Sequence, residues 1–214
     1  MAIKNPPEFY GQTYLRGPMA SAENRWDDNG AFANYACFLS NLATEANIES
    51  PRILDVGCGR GWVVKHLRTL GIEASGIEYG TESVEHSVCG AIWGDVTERL
   101  PFPDNSFDVV SCAGVLSHLP LALMPNAVAE LHRVTKSILS TNILVKWSPA
   151  QWYHQTVREP DWWKFLFKSI GWDELPLSNL IERHGYGQSP FSWMAIWEKN
   201  DAKGPLADRW DTEY

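Results

Sequence analysis

Paired cysteines are missing. The four present, Cys37, Cys58, Cys89 and Cys112, are scattered through 214 residues without a repeated short spacing, so neither a zinc ligand set nor a disulfide framework is indicated, and no metal is expected. A surplus of positive charge is missing too. Acidic residues outnumber basic ones 26 to 18, a formal net charge of -8, which is a poor match to a phosphate backbone and argues against a nucleic-acid partner. No apolar run is long enough to span a bilayer, and residues 1–11 lack the basic region and apolar stretch of a secretion signal; a cytoplasmic protein without a membrane partner is expected. Tryptophan, by contrast, is plentiful. Of its 11 copies, Trp147, Trp152, Trp162, Trp163 and Trp172 fall in one stretch of the C-terminal half. With 44% hydrophobic residues the chain can bury a sizeable core, and its length is near that of one domain, so a single domain over 1–214 is expected.

Glycine and proline punctuate short apolar runs that alternate with helical patterns. Phe32, Tyr35, Ala36, Leu39, Leu42, Ala43 and Ala46 recur at helical spacing and predict a helix over about 29–46. Arg52 to Val56 reads as a buried strand, residues 57–61 as a tight turn, and Trp62 to Leu70 as a helix closed by Gly71. Further strands are predicted over 72–78, 90–96, 107–112, 137–145 and 192–198, and further helices over 81–87, 125–135 and 160–170. The last helix opens on Pro160 and stops at Gly171. Such alternation implies an α/β fold, a mostly parallel sheet with helices on both faces, with ligands at the carboxyl ends of the strands.

Chemistry gathers at those ends. Leu54-Asp55-Val56-Gly57-Cys58-Gly59-Arg60-Gly61 places glycines at alternate positions of the first turn, where a side chain would block the approach of a ligand to the backbone. Taken alone this is a common structural turn. Its context adds weight: Glu78 ends the second predicted strand, where a carboxylate can accept from both ribose hydroxyls of a nucleoside, and Asp95 ends the third. Three successive strand ends therefore carry an acid.

With these residues and the segment Leu100-Pro101-Phe102-Pro103-Asp104-Asn105-Ser106-Phe107-Asp108-Val109-Val110, the chain resembles the class I S-adenosylmethionine-dependent methyltransferases, in their small-molecule branch, over about 52–136. The resemblance implies a Rossmann-like seven-stranded fold, with 1–50 as an N-terminal lid or helical segment, 51–146 as the cofactor-binding core and 147–214 as the substrate side. It implies S-adenosylmethionine as cofactor, with S-adenosylhomocysteine as product, and a small-molecule acceptor, a metabolite or sugar methylated at a hydroxyl or an amine. Gly57 and Gly59, within the loop that also holds Cys58, Gly61 and Trp62, would admit the methionine portion, and Asp55 would help hold its amino group. Glu78 would take the ribose diol, Tyr79 would pack beside the adenine, Asp95 and Val96 would address its edge, and Cys112, Ala113 and Gly114 would line the pocket near the sulfonium. Tyr14, with Tyr10, Arg16 and Trp26, belongs to an N-terminal stretch that is either a lid over the cofactor or a disordered arm. Two departures stand out: Arg133-Val134-Thr135-Lys136-Ser137-Ile138 lacks the glycine pair usual before the fifth strand, and Ser117-His118 replaces a Glu-His pair.

A sulfonium methyl is already electrophilic, so the protein's task is to align a nucleophile and exclude water. A hydroxyl acceptor would also profit from a base, and histidine suits neutral pH. His118, after the fourth strand, and His154, in the connection before the last predicted helix, are the candidates; each stands between that role and a merely shaping or solvated one. Trp152, Tyr153, Trp162 and Phe165 stand likewise between a substrate wall and ordinary packing, whereas Trp163 lies on the apolar stripe.

Rival readings fit less well. Asn5-Pro6-Pro7-Glu8 lacks the aromatic fourth residue of amino-methylating nucleic-acid enzymes, and the glycines do not follow the G-x-G-x-x-G spacing of a nicotinamide dehydrogenase. The alternative in another class is a cofactor-binding partner or regulatory protein without catalysis. A monomer or homodimer is expected.

Overall fold

The computed structural model describes residues 4–10, 28, 30–147, 153–175 and 191–200. Its helices are α1 (Pro7–Phe9), α2 (Ala31–Glu45), α3 (Trp62–Thr69), α4 (Thr81–Glu85), α5 (Met124–Val134) and α6 (Pro160–Ile170). Its strands are β1 (Arg52–Val56), β2 (Glu73–Glu78), β3 (Ile92–Trp93), β4 (Phe107–Ala113), β5 (Thr135–Leu144), β6 (Trp172–Glu174) and β7 (Ser192–Lys199). They form one seven-stranded sheet in the order β3-β2-β1-β4-β5-β7-β6. The strands from β3 to β5 pair in parallel, while β7 runs antiparallel to both β5 and β6.

The period of two along each strand divides the core. Ile53, Val109, Ile138 and Ile196 face α2 and α3, where Phe38, Leu39, Leu42, Val64 and Leu67 cover them. Leu54, Val56, Val110 and Leu139 face the other way, against Val128 and Leu131 of α5 and Trp163, Leu166 and Phe167 of α6. Both helical stripes are those that the sequence spacing requires. β1 therefore feeds α3 on one face and β4 feeds α5 on the other, so neighbouring strands part and leave a crevice beyond their carboxyl ends.

Several expectations need correction. The third strand is two residues long, not seven: Gly94 N–H bonds the Glu78 carbonyl at 3.0 Å, and the chain then turns because Asp95 accepts from the Thr97 amide at 2.8 Å and its hydroxyl at 2.7 Å. The fifth strand starts at Thr135 rather than Ser137. In place of a glycine turn, the Thr135 hydroxyl donates back to the Leu131 carbonyl at 2.6 Å, and Lys199 Nζ donates to the carbonyls of His132 and Thr135, each at 2.9 Å. A lysine side chain thus satisfies carbonyls that a helix end leaves over. β6 was not expected, since Trp172 directly follows the Gly171 helix stop (φ 112°) and the strand is only three residues long.

Candidate active site

The crevice holds a cavity of about 190 Å³. Of the residues singled out from sequence, it is lined by Gly57, Gly59, Glu78, Tyr79, Asp95, Val96, Ala113, Gly114 and His118. Strand ends that carry these side chains to one place are what the topology requires of β1, β2, β3 and β4.

Gly57 turns the chain at φ 72°, and a Cβ there would stand 2.2 Å from Val115 Cγ2, so a side chain is excluded on both counts. Gly59 and Gly114 line the same cavity, and a Cβ on either would meet no atom within 4 Å. The bare backbone is therefore a cradle that a ligand can approach closely. Glu78 is clamped at the cradle's rim: its Oε2 accepts from Gly59 N–H at 2.8 Å and its Oε1 from Gly80 N–H at 2.7 Å. Burial raises the carboxyl, and the amides of Gly80, Gly59 and Tyr79 offset this only in part. A half-buried carboxylate with lone pairs to spare fits a vicinal diol, whose two hydroxyls would complete its hydrogen bonding.

At the far end, Tyr79 and Asp95 meet a residue that the sequence did not mark. Lys4 pairs with Asp95 and lies 4.0 Å from the centre of the Tyr79 ring. Burial alone would raise the Asp95 carboxyl, but Lys4 and Thr97 outweigh it and hold it below the usual range. No local pattern signals such a lysine, because its partners lie far along the chain. Tyr10 also lines the cavity, edge-on to Tyr79 at 6.0 Å and to His118 at 5.6 Å. The described part of the N-terminal stretch therefore lies over the cavity; Tyr14, Arg16 and Trp26 fall outside the described residues.

His118 and His154 come together. Their ring centroids are 4.3 Å apart, and Tyr153 stacks on His118 at 5.3 Å and approaches His154 at 4.4 Å. Burial, reinforced by His154, brings His118 down to about 3, so its imidazole is neutral at physiological pH and offers an acceptor nitrogen.

Other residues singled out are placed elsewhere. Asp55 is buried beside the cavity rather than lining it: its Oδ1 accepts from Ser111 Oγ at 2.8 Å, and the Tyr35 hydroxyl bonds both Ser111 Oγ and Ser140 Oγ, at 3.2 and 3.1 Å. Burial, opposed by Ser111, raises the Asp55 carboxyl to about 7. Cys112 is wholly buried in β4, and Cys58, Gly61 and Trp62 do not line the cavity, with Lys65 Nζ 4.6 Å from the Trp62 ring centre. Trp162 packs edge-to-face on the core residue Trp163 at 4.9 Å, Phe165 is exposed, and Trp152 falls outside the described residues. Among the described residues no cluster of three or more His, Cys, Asp or Glu could hold a metal, and no helix is long and apolar enough to cross a membrane.

Residues 54–138 match the model of a methyltransferase domain. Over 109 residues the chain is 38% identical to the "Probable methyltransferase ltbC" of Aspergillus luteorubrus, covering 42% of this chain and 38% of that one. It is 27% identical over 166 residues to a ubiquinone biosynthesis O-methyltransferase of Paraburkholderia xenovorans, covering 70% and 64%. An arginine-hydroxylase, NDUFAF5 of Rattus norvegicus, is 35% identical over 94 residues, covering 40% and 26%. The chain thus spans between a quarter and just under two thirds of the length of these relatives. Among solved structures, magnesium protoporphyrin IX methyltransferase of Synechocystis with bound S-adenosylmethionine superposes with a TM-score of 0.64 at 13% identity, covering 94% of this chain and all of that one; this likeness is one of fold. The matched stretch takes in the glycine cradle, the Glu78 carboxylate and the fourth strand end, so residues 54–138 carry a methyltransferase domain, and the chain has the fold of S-adenosylmethionine-dependent methyltransferases of known structure.

Proposed function

We propose that this chain moves the methyl group of S-adenosylmethionine to a small molecule, at a hydroxyl that donates to His118, whose imidazole takes the proton as the carbon–oxygen bond forms and passes it on to His154. The observation that carries this reading is the position of His118: it lines the cofactor cavity, is neutral, and has a second histidine at 4.3 Å. When bound, the cofactor supplies a methyl on a cationic sulfur, an electrophile that needs little further activation.

The chain's residues do the rest. Glu78 would hold the ribose, the cradle at Gly57 and Gly59 the methionine portion, and Tyr79, Asp95 and Val96 the adenine. Tyr10, His118 and Tyr153 screen the reacting end from water. A neutral buried imidazole is a weak base but a well-placed acceptor, so His118 fixes the direction of the hydroxyl oxygen's lone pairs. His154 is only partly buried and gives the proton a route to solvent. Such a positioned acceptor contributes on the order of 10²- to 10⁴-fold in rate.

The relatives named O-methyltransferases support an oxygen acceptor, while the arginine-hydroxylase leaves room for other chemistry on related sequence. The test is incubation with S-adenosylmethionine carrying a labelled methyl and a panel of phenols, sugars and amines. Labelled ether product, reduced at least tenfold in both His118→Ala and His154→Ala, is the expected result. Transfer only to amines, or full activity in both variants, overturns the histidine assignment. Binding of the cofactor with no transfer to any acceptor favours a partner or regulatory role instead.

A further inference from the structure

A polar rung crosses the sheet just beneath the cavity floor. On the face that α2 covers, Ile53 of β1, Val109 of β4 and Ile138 of β5 stand side by side in register and are apolar, but the next rung of the same face is Asp55, Ser111 and Ser140. All three are buried. Two residues further along the chain from Asp55 and Ser111 come Gly57 and Ala113, which line the cavity, so the rung lies about 7 Å below them. From the helix side, α2 brings the Tyr35 hydroxyl onto the rung, with the Tyr35 ring stacked on Phe38 at 5.8 Å.

The protons of this rung point one way when Asp55 is ionised. Ser111 Oγ donates to Asp55 Oδ1 at 2.8 Å, which uses its one hydrogen, so at 3.2 Å it accepts from the Tyr35 hydroxyl; Tyr35, its own hydrogen spent, accepts in turn from Ser140 Oγ at 3.1 Å. The order Ser140, Tyr35, Ser111, Asp55 is thus a chain of donors aimed at a carboxylate, in which each bond strengthens the next. With Asp55 protonated the chain runs the other way. The titratable groups that act on Asp55, namely Glu78 from β2, Cys89 from the segment before β3, Cys112 in β4 and Tyr35 itself, are all anionic when ionised and oppose its charge. A carboxylate supported by hydroxyl dipoles and faced by groups of like charge gains from a cation on the floor above it, and such a cation selects the first order of the chain.

We propose that Tyr35 is a positioning residue for the cofactor: by way of Ser111 it holds Asp55 as the carboxylate that attracts the cofactor's amino group, an inference that rests on the cofactor reading above. Tyr35 does not line the cavity, so its effect reaches the ligand through the rung. The methionine portion in the cradle at Gly57 brings the cationic amino group above Asp55, and the attraction acts across the floor without contact. Tyr35 therefore bears on one portion of the ligand and leaves the adenosine portion, assigned to Glu78, Tyr79 and Asp95, as it is.

The test uses the full chain and two probes: S-adenosylhomocysteine, which carries the amino group, and methylthioadenosine, which keeps the adenosine and the sulfur without it. Calorimetry on Tyr35→Phe at pH 7 should show about fivefold weaker binding of the first probe, and binding of the second within about twofold of the natural chain. The shortfall for the first probe should shrink toward pH 8.5, because loss of the chain leaves the Asp55 carboxyl higher and the more alkaline solution ionises it in both proteins. Ser111→Ala, which removes the donor at Asp55 itself, gives the same split and serves if the phenylalanine variant folds poorly. Equal loss for both probes, as a disturbed core would produce, a shortfall that does not change with pH, or no loss for either probe overturns the proposal. Natural protein that binds neither probe is a different result: it defeats the cofactor reading, and the role of Tyr35 falls with it.

Discussion

The rings of His118 and His154 lie 4.3 Å apart and tilted by 37° to one another. Imidazolium on both would place like charges in contact, and burial keeps the proton off His118 down to about pH 3. In the unfolded chain a histidine takes up a proton near 6.5. A depressed folded value means stability that is present above 6.5 and lost as pH falls below it, by up to about 1.4 kcal/mol per pH unit for this one group. Urea titrations at pH 6.5 and pH 5 should therefore show about 2 kcal/mol less of this acid loss in His118→Phe than in the natural chain. An equal loss in both would mean that the imidazole is charged in the fold.

Asp55 has the opposite sign. Its carboxyl is raised by burial to about 7, against 3.8 for the ordinary group, so the fold favours the protonated form. The associated stability is intact below pH 3.8 and lost as pH rises toward and through 7, an upper limit of about 4 kcal/mol. Asn at this position keeps an oxygen for Ser111 Oγ without the charge. Asp55→Asn should melt above the natural chain at pH 8, with the advantage shrinking toward pH 5. Affinity for S-adenosylhomocysteine should fall if this acid also attracts the cofactor's amino group. A melting difference that does not change with pH would contradict the burial argument.

Glu78 is held by one amide on each oxygen, from Gly59 and Gly80. In Glu78→Gln one of those amides must face an NH₂ group, and the diol loses an acceptor. Affinity for S-adenosylhomocysteine should drop roughly 10- to 100-fold, which is about 1.4 to 2.8 kcal/mol, with a much smaller effect on the unliganded melting temperature. A variant that binds as tightly as the natural chain would remove this carboxylate from the site.

What the sequence disclosed depended on how local the cause was. The bounds of α6 were legible because Pro160 opens the helix and Gly171 closes it, each acting on its own neighbours. The glycine cradle and Glu78 were legible for a similar reason, since strand ends are marked by short motifs. β3 was overestimated because Ala91 to Val96 is apolar enough for a longer strand, yet Asp95 captures Thr97 and turns the chain. The pairings of Lys4 with Asp95 and of His118 with His154 join segments distant in sequence, and each depends on the finished sheet order. Individual residues could be suspected from their type; their meeting could not.

Arg133 provides a test of how the Leu100–Asp104 motif is held. The guanidinium donates to the carbonyls of Phe102 and Leu100, to Asp104 and to Glu130, while Glu130 in turn accepts the Leu100 amide at 2.6 Å. One planar fork thus organises the segment that joins the third strand end to β4, and Arg133 is itself mostly shielded from solvent. A lysine presents a single ammonium and cannot reach this set at once. Arg133→Lys should cost about 2 kcal/mol of folding stability, and Arg133→Met more, since two carbonyls and two carboxylates then lose a donor. Because none of these partners lines the cavity, affinity for S-adenosylhomocysteine in the folded variant should change by less than threefold. Chemical denaturation and calorimetry on the same samples separate the two effects. A large loss of affinity without loss of stability would mean that the motif acts on the cofactor site directly rather than by bracing the strand beside it.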